Sequence, residues 1–314
     1  MSPLILSEAR NFLVKGCAPQ IYREGEEFPI DAEGPVNQRR WMVVDRAKEI
    51  FRSQRHPGFS GLARIRPQLA GTVLTLRAEG MPDCAVPLDE PGELTTATIW
   101  DADCPVRIHP DASRWVSEYM RKDLLFSEQA GRRPVNSIYA PEDATVGFAD
   151  RFPLTALSEE TVEHVSAVAG ETVDAGRFRY NLLFRGCMAQ AENCMARFRI
   201  GDFIGRSVKP SDRCTEINVN QQTGEPDMEL LDLLKKHPWF RNPHNHAAIV
   251  AENVIVERPG TVTVGSPVEV LEWSEQGWDR PFQLNHRQRK KIGNLSTTQR
   301  SVGPDGVWRW LRGK

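Results

Sequence analysis

No run in this chain comes near the roughly 18 consecutive apolar residues that a membrane-spanning helix needs, which excludes a helical membrane protein. A bias of charge is missing too. The 40 basic residues are matched by 42 acidic ones, leaving no global field to draw in nucleic acid or a lipid surface. No two of the six cysteines form a C-x-x-C pair, which removes zinc ribbons and thioredoxin-like motifs. Cys17, Cys84, Cys104, Cys187, Cys194 and Cys214 are spread so thinly that reduced thiols are expected. The opening residues put Glu8 and Arg10 where a secretory signal would carry its apolar core. A cytoplasmic protein is therefore expected, with neither nucleic acid nor membrane as a partner. Internal repeats and low-complexity tracts are absent as well.

What is present is a 314-residue chain, 40% hydrophobic, long enough for two domains and a proper core. Its first part reads as short strands between Pro and Gly turns: Trp41–Val44, Thr72–Arg77, Thr95–Trp100 and Val106–His109. One helix interrupts them, capped by Asp111 or Ser113, with Trp115, Val116, Tyr119 and Met120 on one face. A polar loop or boundary is expected over 127–143. Beyond it, Ser158 followed by Glu159 and Glu160 signals a helix running to about Val168. Phe178–Phe184 and Phe198–Val208 read as strands, and Asp227 is expected to open a further helix. Ala248–Val256 and Thr261–Leu271 suggest a hairpin turning at Arg258-Pro259-Gly260. The fold class expected is mainly β with some α (α+β), a barrel-like core beside a smaller β-rich domain.

Five motifs carry chemistry. In chain order they are Leu13-Val14-Lys15-Gly16-Cys17; Asn37-Gln38-Arg39-Arg40-Trp41 with Met42 to Asp45; and Phe148-Ala149-Asp150-Arg151-Phe152-Pro153-Leu154. Then come Arg177-Phe178-Arg179-Tyr180-Asn181, and Val208-Lys209-Pro210-Ser211-Asp212-Arg213-Cys214 followed by Thr223-Gly224. Each alone is weak. Their order over Val14 to Val270 resembles the molybdenum cofactor sulfurase C-terminal (MOSC) family with its N-terminal β-rich domain, and most resembles the amidoxime-reducing branch. That resemblance implies an N-terminal domain over 1–143, a MOSC domain over 144–271 and a basic tail over 272–314. It implies a molybdenum-dependent oxidoreductase with a detoxifying role, reducing N-hydroxylated compounds at a molybdopterin-bound metal. The alternative is a carrier or binding module for the cofactor or its sulfur, without turnover.

By the same resemblance Cys214 is the protein's ligand to molybdenum and, with Asp150, a catalytic residue; Lys15, Arg39, Arg179, Asn181 and Arg213 bind the cofactor. The chemistry is coherent, since thiolate suits a soft metal centre and guanidinium and ammonium groups suit a phosphate. Arg213 beside Cys214 is expected to lower the thiol pKa. Cys17 is expected to be structural. The sequence departs from the amidoxime reducers at Gly16, Arg151, Phe152, Tyr180 and Asp212, and Asp212 must be paired or turned away if an anion binds nearby. His237, His244 and His246 have no acid or cysteine at zinc spacing and read as a loop.

The last cysteine is Cys214, so no iron–sulfur cluster can follow it. A Gly-rich dinucleotide fingerprint is also lacking. Electrons are expected from an external ferredoxin- or flavodoxin-like carrier and its reductase. The tail, with Arg287, Arg289, Lys290, Lys291, Arg309 and Arg312 around Trp308 and Trp310, is a candidate docking surface for such a carrier.

Overall fold

The computed structural model describes residues 3–274 apart from 89, 101, 142, 243 and 244; the basic tail and His244 lie outside the described residues. Strand predominates over helix. Five strands close on themselves in the order Leu124–Gln129, Ala102–Ile108, Leu94–Ile99, Ile50–Arg52 and Trp41–Asp45, the last pairing back onto the first. The apolar run 41–44 is explained by this closure, because both faces of its strand are covered. Met42 and Val44 point to Phe51, Ile99 and Val106. Trp41 and Val43 alternate to the other side, against Trp115 and Val116. Those two residues belong to helix α1 (Pro110–Met120), which starts earlier than expected. Pro110 supplies the first turn, His109 occupies the cap without a side-chain bond, and Ser113 lies inside the helix, donating to the His109 carbonyl at 2.7 Å.

The second body is an eight-stranded sheet. Its order runs Glu269–Trp273, Met195–Ile200, Phe203–Asp212, Ile249–Arg258, Leu154–Ser158, Leu182–Arg185, Ile5–Asn11 and Gln20–Tyr22. Two of these strands come from the start of the chain: Ile5–Asn11 runs antiparallel to Leu182–Arg185, with Leu6 opposite Phe184. Leu6, Phe184, Phe198, Phe203 and Val254 fill the core on one face. Helix α2 (Glu159–Ala169) begins where expected, with the Ser158 hydroxyl accepting from the Thr161 N–H, and it ends at Gly170 in the left-handed region. Helix α3 is short, Leu230–Lys236.

Four local expectations are corrected. The strand expected from Phe178 is a 3-10 turn, Ala175–Phe178, then Arg179 at φ 47°, and the strand proper starts only at Leu182. The long strand expected over 198–208 is two antiparallel strands turning at Gly201. Asp227 does not open α3; its carboxylate instead accepts from Arg177 at 2.6 Å and Asn220 at 2.8 Å. The expected hairpin at Pro259 does not form either, because Gly260–Thr263 pairs with Glu27–Asp31 and not with its sequence neighbour. No described helix is long and apolar enough to cross a membrane.

Candidate functional site

Cys214 follows the end of strand Phe203–Asp212 and stands at the head of a 3-10 turn, Thr215–Asn218. Its neighbour fixes that position. The Arg213 guanidinium donates to the Val250 carbonyl at 2.7 Å through Nε and to the Phe178 carbonyl at 2.9 Å, tying the cysteine strand to the segment that carries Arg179. Both segments open onto a cleft of about 270 Å³ whose walls include Arg39, Asp150, Arg179, Asn181, Arg213 and Cys214. Six of the seven residues singled out in the sequence thus share one cleft, from four separate stretches of chain. The seventh, Lys15, sits one layer deeper. It is 2% exposed, donates to the Phe148 carbonyl at 2.9 Å and pairs with Asp150.

The cationic side chains are held by unusual backbone. Arg39 and Arg179 both adopt the left-handed region, at φ 48° and 47°, where ordinary side chains are strained. Arg39 is locked there by its own amide, which donates to Phe12 O at 2.7 Å, and by its carbonyl, which accepts from Phe148 N at 2.7 Å. Gly147 allows this approach, since a Cβ on it would lie 2.6 Å from the Gln38 carbonyl oxygen and 2.8 Å from that of Arg39. Arg179 stacks 4.3 Å above the Phe12 ring, donates to Cys17 O at 3.0 Å and lies 3.6 Å from Glu216. Arg39 Nε and Arg179 Nη2 are buried and have no hydrogen-bond partner. Asn181, by contrast, has committed its amide: it donates to Arg10 O at 3.0 Å and accepts from Thr155 N at 3.0 Å.

Burial lowers the Lys15 pKa to about 8, with Arg39 and Arg55 adding to the effect and Asp150 opposing it. At Asp150 burial resists the charge, but Lys15, Arg55 and Arg39 outweigh it and hold the carboxyl well below the usual carboxylate range. Burial lowers Arg213 to about 10. The expectation for Cys214 is overturned. Burial, aided by Glu216, pushes its thiol up, and the cation that most opposes this is Arg55, while Arg213 spends its N–H groups on carbonyls. Cys17 is fully buried and pushed up to about 12 by that burial, with Arg179 opposing; this suits a structural thiol. Asp212 lies 3.7 Å from Lys209, which pairs it. Among the described residues no three His, Cys, Asp or Glu gather closely enough to hold an ion, and His237 packs instead against His164 and Phe240.

Sequence reading missed three residues here. Arg55 donates to Asp150 at 2.8 Å, lies 3.7 Å from Glu216 and stacks 4.7 Å over Trp100. Arg55 sits in a turn after a barrel strand, where a polar loop gives no periodic signal; Trp100 was legible only as the end of a strand, and Glu216 only as a near neighbour of Cys214.

A closed barrel and an open sheet that bring arginines from separate stretches of chain to the cleft of Cys214 define a two-module β protein. The sequence profile described as "MOSC N-terminal beta barrel domain" matches residues 6–123, and that described as "MOSC domain" matches residues 143–269. The chain belongs to the MOSC domain family. It is similar to mitochondrial amidoxime-reducing component 1 of Mus musculus, 26% identical over 76% of this chain and 73% of that protein. It is also similar to the molybdenum cofactor sulfurase of Homo sapiens, 21% identical over 91% of this chain but only 34% of that protein. Among solved structures, the YuaD protein of Bacillus subtilis is 12% identical, covering 88% of this chain and 98% of its own, at a TM-score of 0.41.

Proposed function

We propose that the protein is a molybdenum-cofactor oxidoreductase that reduces N-hydroxylated compounds, with Cys214 as the protein ligand to the metal. The observation that carries this reading is the pair of buried, unpartnered guanidinium nitrogens of Arg39 and Arg179 beside the Cys214 thiol. A buried donor without a partner costs about 1–3 kcal/mol, a cost that an anionic ligand such as a pterin phosphate would recover. The donor set supports the same group. With one soft thiol and no three-ligand cluster among the described residues, a metal here must arrive already chelated, as molybdenum does on its pterin dithiolene. The names of the relatives, an amidoxime-reducing component and a molybdenum cofactor sulfurase, agree.

When bound, the cofactor supplies a two-electron centre, and with two protons the overall reaction turns an N-hydroxylated group into the amine or amidine plus water. The chain's own residues do the rest. Arg39 and Arg179 orient the anionic end, with Lys15 supplying charge from behind through Asp150. Arg213 holds the Cys214 strand end against the Arg179 segment. Asp150, kept ionised between Lys15 and Arg55, is suited to accepting a hydrogen bond from the substrate and so positioning it, more than to giving up a proton. The test is molybdenum and pterin content of protein expressed in a host that makes the cofactor, followed by single-turnover reduction of a hydroxylamine. Near-stoichiometric metal with turnover is expected; protein that purifies without metal from such a host would refute the reading.

The alignment with the sulfurase over 91% of this chain favours a second reading, a carrier of the cofactor or its sulfur. Bound metal without single-turnover reduction would select it. In the enzyme reading the electrons come from a separate donor in the cytoplasm. NADPH alone should then give no steady-state turnover, and adding a ferredoxin- or flavodoxin-like carrier with its reductase should restore it. Turnover with NADPH alone would remove the external donor.

A further inference from the structure

Beside the Cys214 cleft lies a wider recess of about 1140 Å³, which shares Trp100, Asp150, Arg151, Phe152 and Lys209 with it as walls. Anything seated in the recess therefore reaches the thiol past Asp150. Two walls are aromatic. Trp100 is 49% exposed and sits at φ 60°, a strained conformation for a bulky residue, yet it is held from behind by Arg55 at 4.7 Å and by Phe51 at 5.4 Å. Tyr139 and Phe152, packed edge to face at 5.6 Å, form the other.

Among the described residues that wall the recess three are cations, Arg133, Arg151 and Lys209, and one is an acid, Asp150. Arg133 gives its N–H groups to the carbonyls of Gly147 at 3.2 Å and Ala149 at 2.8 Å, contacts that fix it without cancelling its charge. Among the described residues no carboxylate pairs with Arg133 or Arg151. Lys209 is offset by Asp212 at 3.7 Å, and Asp150 is already matched by Lys15 and Arg55. Among the described residues two cations, Arg133 and Arg151, thus remain without a carboxylate partner beside two aromatic walls. Such a surface favours a flat ring, which gains from stacking, and an anionic group, which gains from charge complementarity.

We propose that this recess is a substrate site that selects a planar aromatic molecule carrying a carboxylate remote from its reacting group. The proposal takes from the preceding reading only which group faces Cys214; binding in the recess stands apart from turnover. The experiment uses full-length, cofactor-loaded protein and three probes: para-carboxybenzamidoxime, its para-carboxamide, and acetamidoxime. Affinity is measured by calorimetry and turnover by steady-state kinetics. The carboxylate should bind about tenfold more tightly than the carboxamide at low salt, and the gap should shrink to about twofold near 1 M salt. Acetamidoxime should bind more weakly than either aromatic probe. Arg151→Glu should bring the carboxylate to parity with the carboxamide or below it, and Trp100→Ala should narrow the advantage of the aromatic probes over acetamidoxime. Equal affinity for carboxylate and carboxamide in the unmodified protein would overturn the proposal, as would a preference indifferent to salt or no measurable binding of any probe. The expected binding pattern without turnover would leave the recess standing and remove the reductase reading. Turnover of all three probes with equal KM would do the reverse.

Discussion

Removing the Cys214 sulfur deletes one partly buried atom at the rim of a cleft, and little packing depends on it. Cys214→Ala should therefore abolish reductase turnover while moving the thermal midpoint by no more than about 2 °C. Cys84→Ala, distant in role and buried among the apolar residues under α1, should keep its turnover. Full activity in Cys214→Ala would sink the ligand assignment. Lys15 gives a prediction with a sign. In the cofactor-free protein its pKa falls from 10.5 to about 8, so between those values the unfolded chain holds a proton that the folded chain has lost. Unfolding free energy must then rise with pH across that window, relative to Lys15→Met, and be flat in this respect below it. Urea unfolding of both proteins at about pH 7, 9 and 10 measures the difference, and a gap that does not change would refute the shift. Both residues were legible as motif members. The rise of the Cys214 thiol was not, because it depends on what encloses the sulfur and not on the residue next to it in sequence.

At the scale of elements, what the sequence disclosed was local. The Trp41–Asp45 strand and the Ser158 cap follow from residue type and from neighbours within a few positions. Apart from the local turn at Gly201, the failures were contests that other parts of the chain won. Gly260–Thr263 pairs across 230 residues of chain with Glu27–Asp31, and nothing in the Pro259-Gly260 turn signal carries that information. Phe178 has strand composition, yet Arg179 must turn left-handed to reach Cys17, which breaks the strand before it starts. The cap of α2 offers a test of a tertiary role behind a local signal. The Ser158 hydroxyl accepts from Thr161 N and also donates to Glu192 at 2.8 Å, a carboxylate 1% exposed, and burial pushes the Glu192 pKa up. Ser158→Ala removes the cap and one of the donors to a buried acid, so it should cost about 2 kcal/mol or more, above an ordinary cap loss of about 1. Chemical denaturation is the measurement; a loss under about 0.5 kcal/mol would show that Glu192 does not depend on Ser158.

For the whole molecule the decisive feature is that the sheet of the second body includes a strand from the first residues of the chain. Leu6 and Ala9, both fully buried, belong to the same core cluster as Phe184, Phe198 and Phe203. A fragment of residues 144–274 therefore lacks part of its own core and bares the backbone of Leu182–Arg185. It should be largely unfolded or aggregated, as read by the dispersion of its amide NMR spectrum. A well-dispersed, monomeric fragment would show that the second body is self-sufficient. The cleft obeys the same division, since Arg39 and Arg55 come from one side of the chain and Arg179, Arg213 and Cys214 from the other.

That shared strand also sets an order of events during synthesis. Ile5 leaves the ribosome about 180 residues ahead of its partner Arg185, which at roughly 5–20 residues per second is a delay of about 10–35 s. Throughout that interval Ile5–Asn11 has only the short strand Gln20–Tyr22 to pair with, and most of the core its apolar face enters, Phe184, Phe198 and Phe203 among it, has not yet been made. The barrel can close in the meantime, because all five of its strands lie before residue 130. The nascent chain thus passes through a stage in which a finished barrel trails a loose hydrophobic end, and slowing translation before residue 180 would lengthen its exposure to chaperones and proteases.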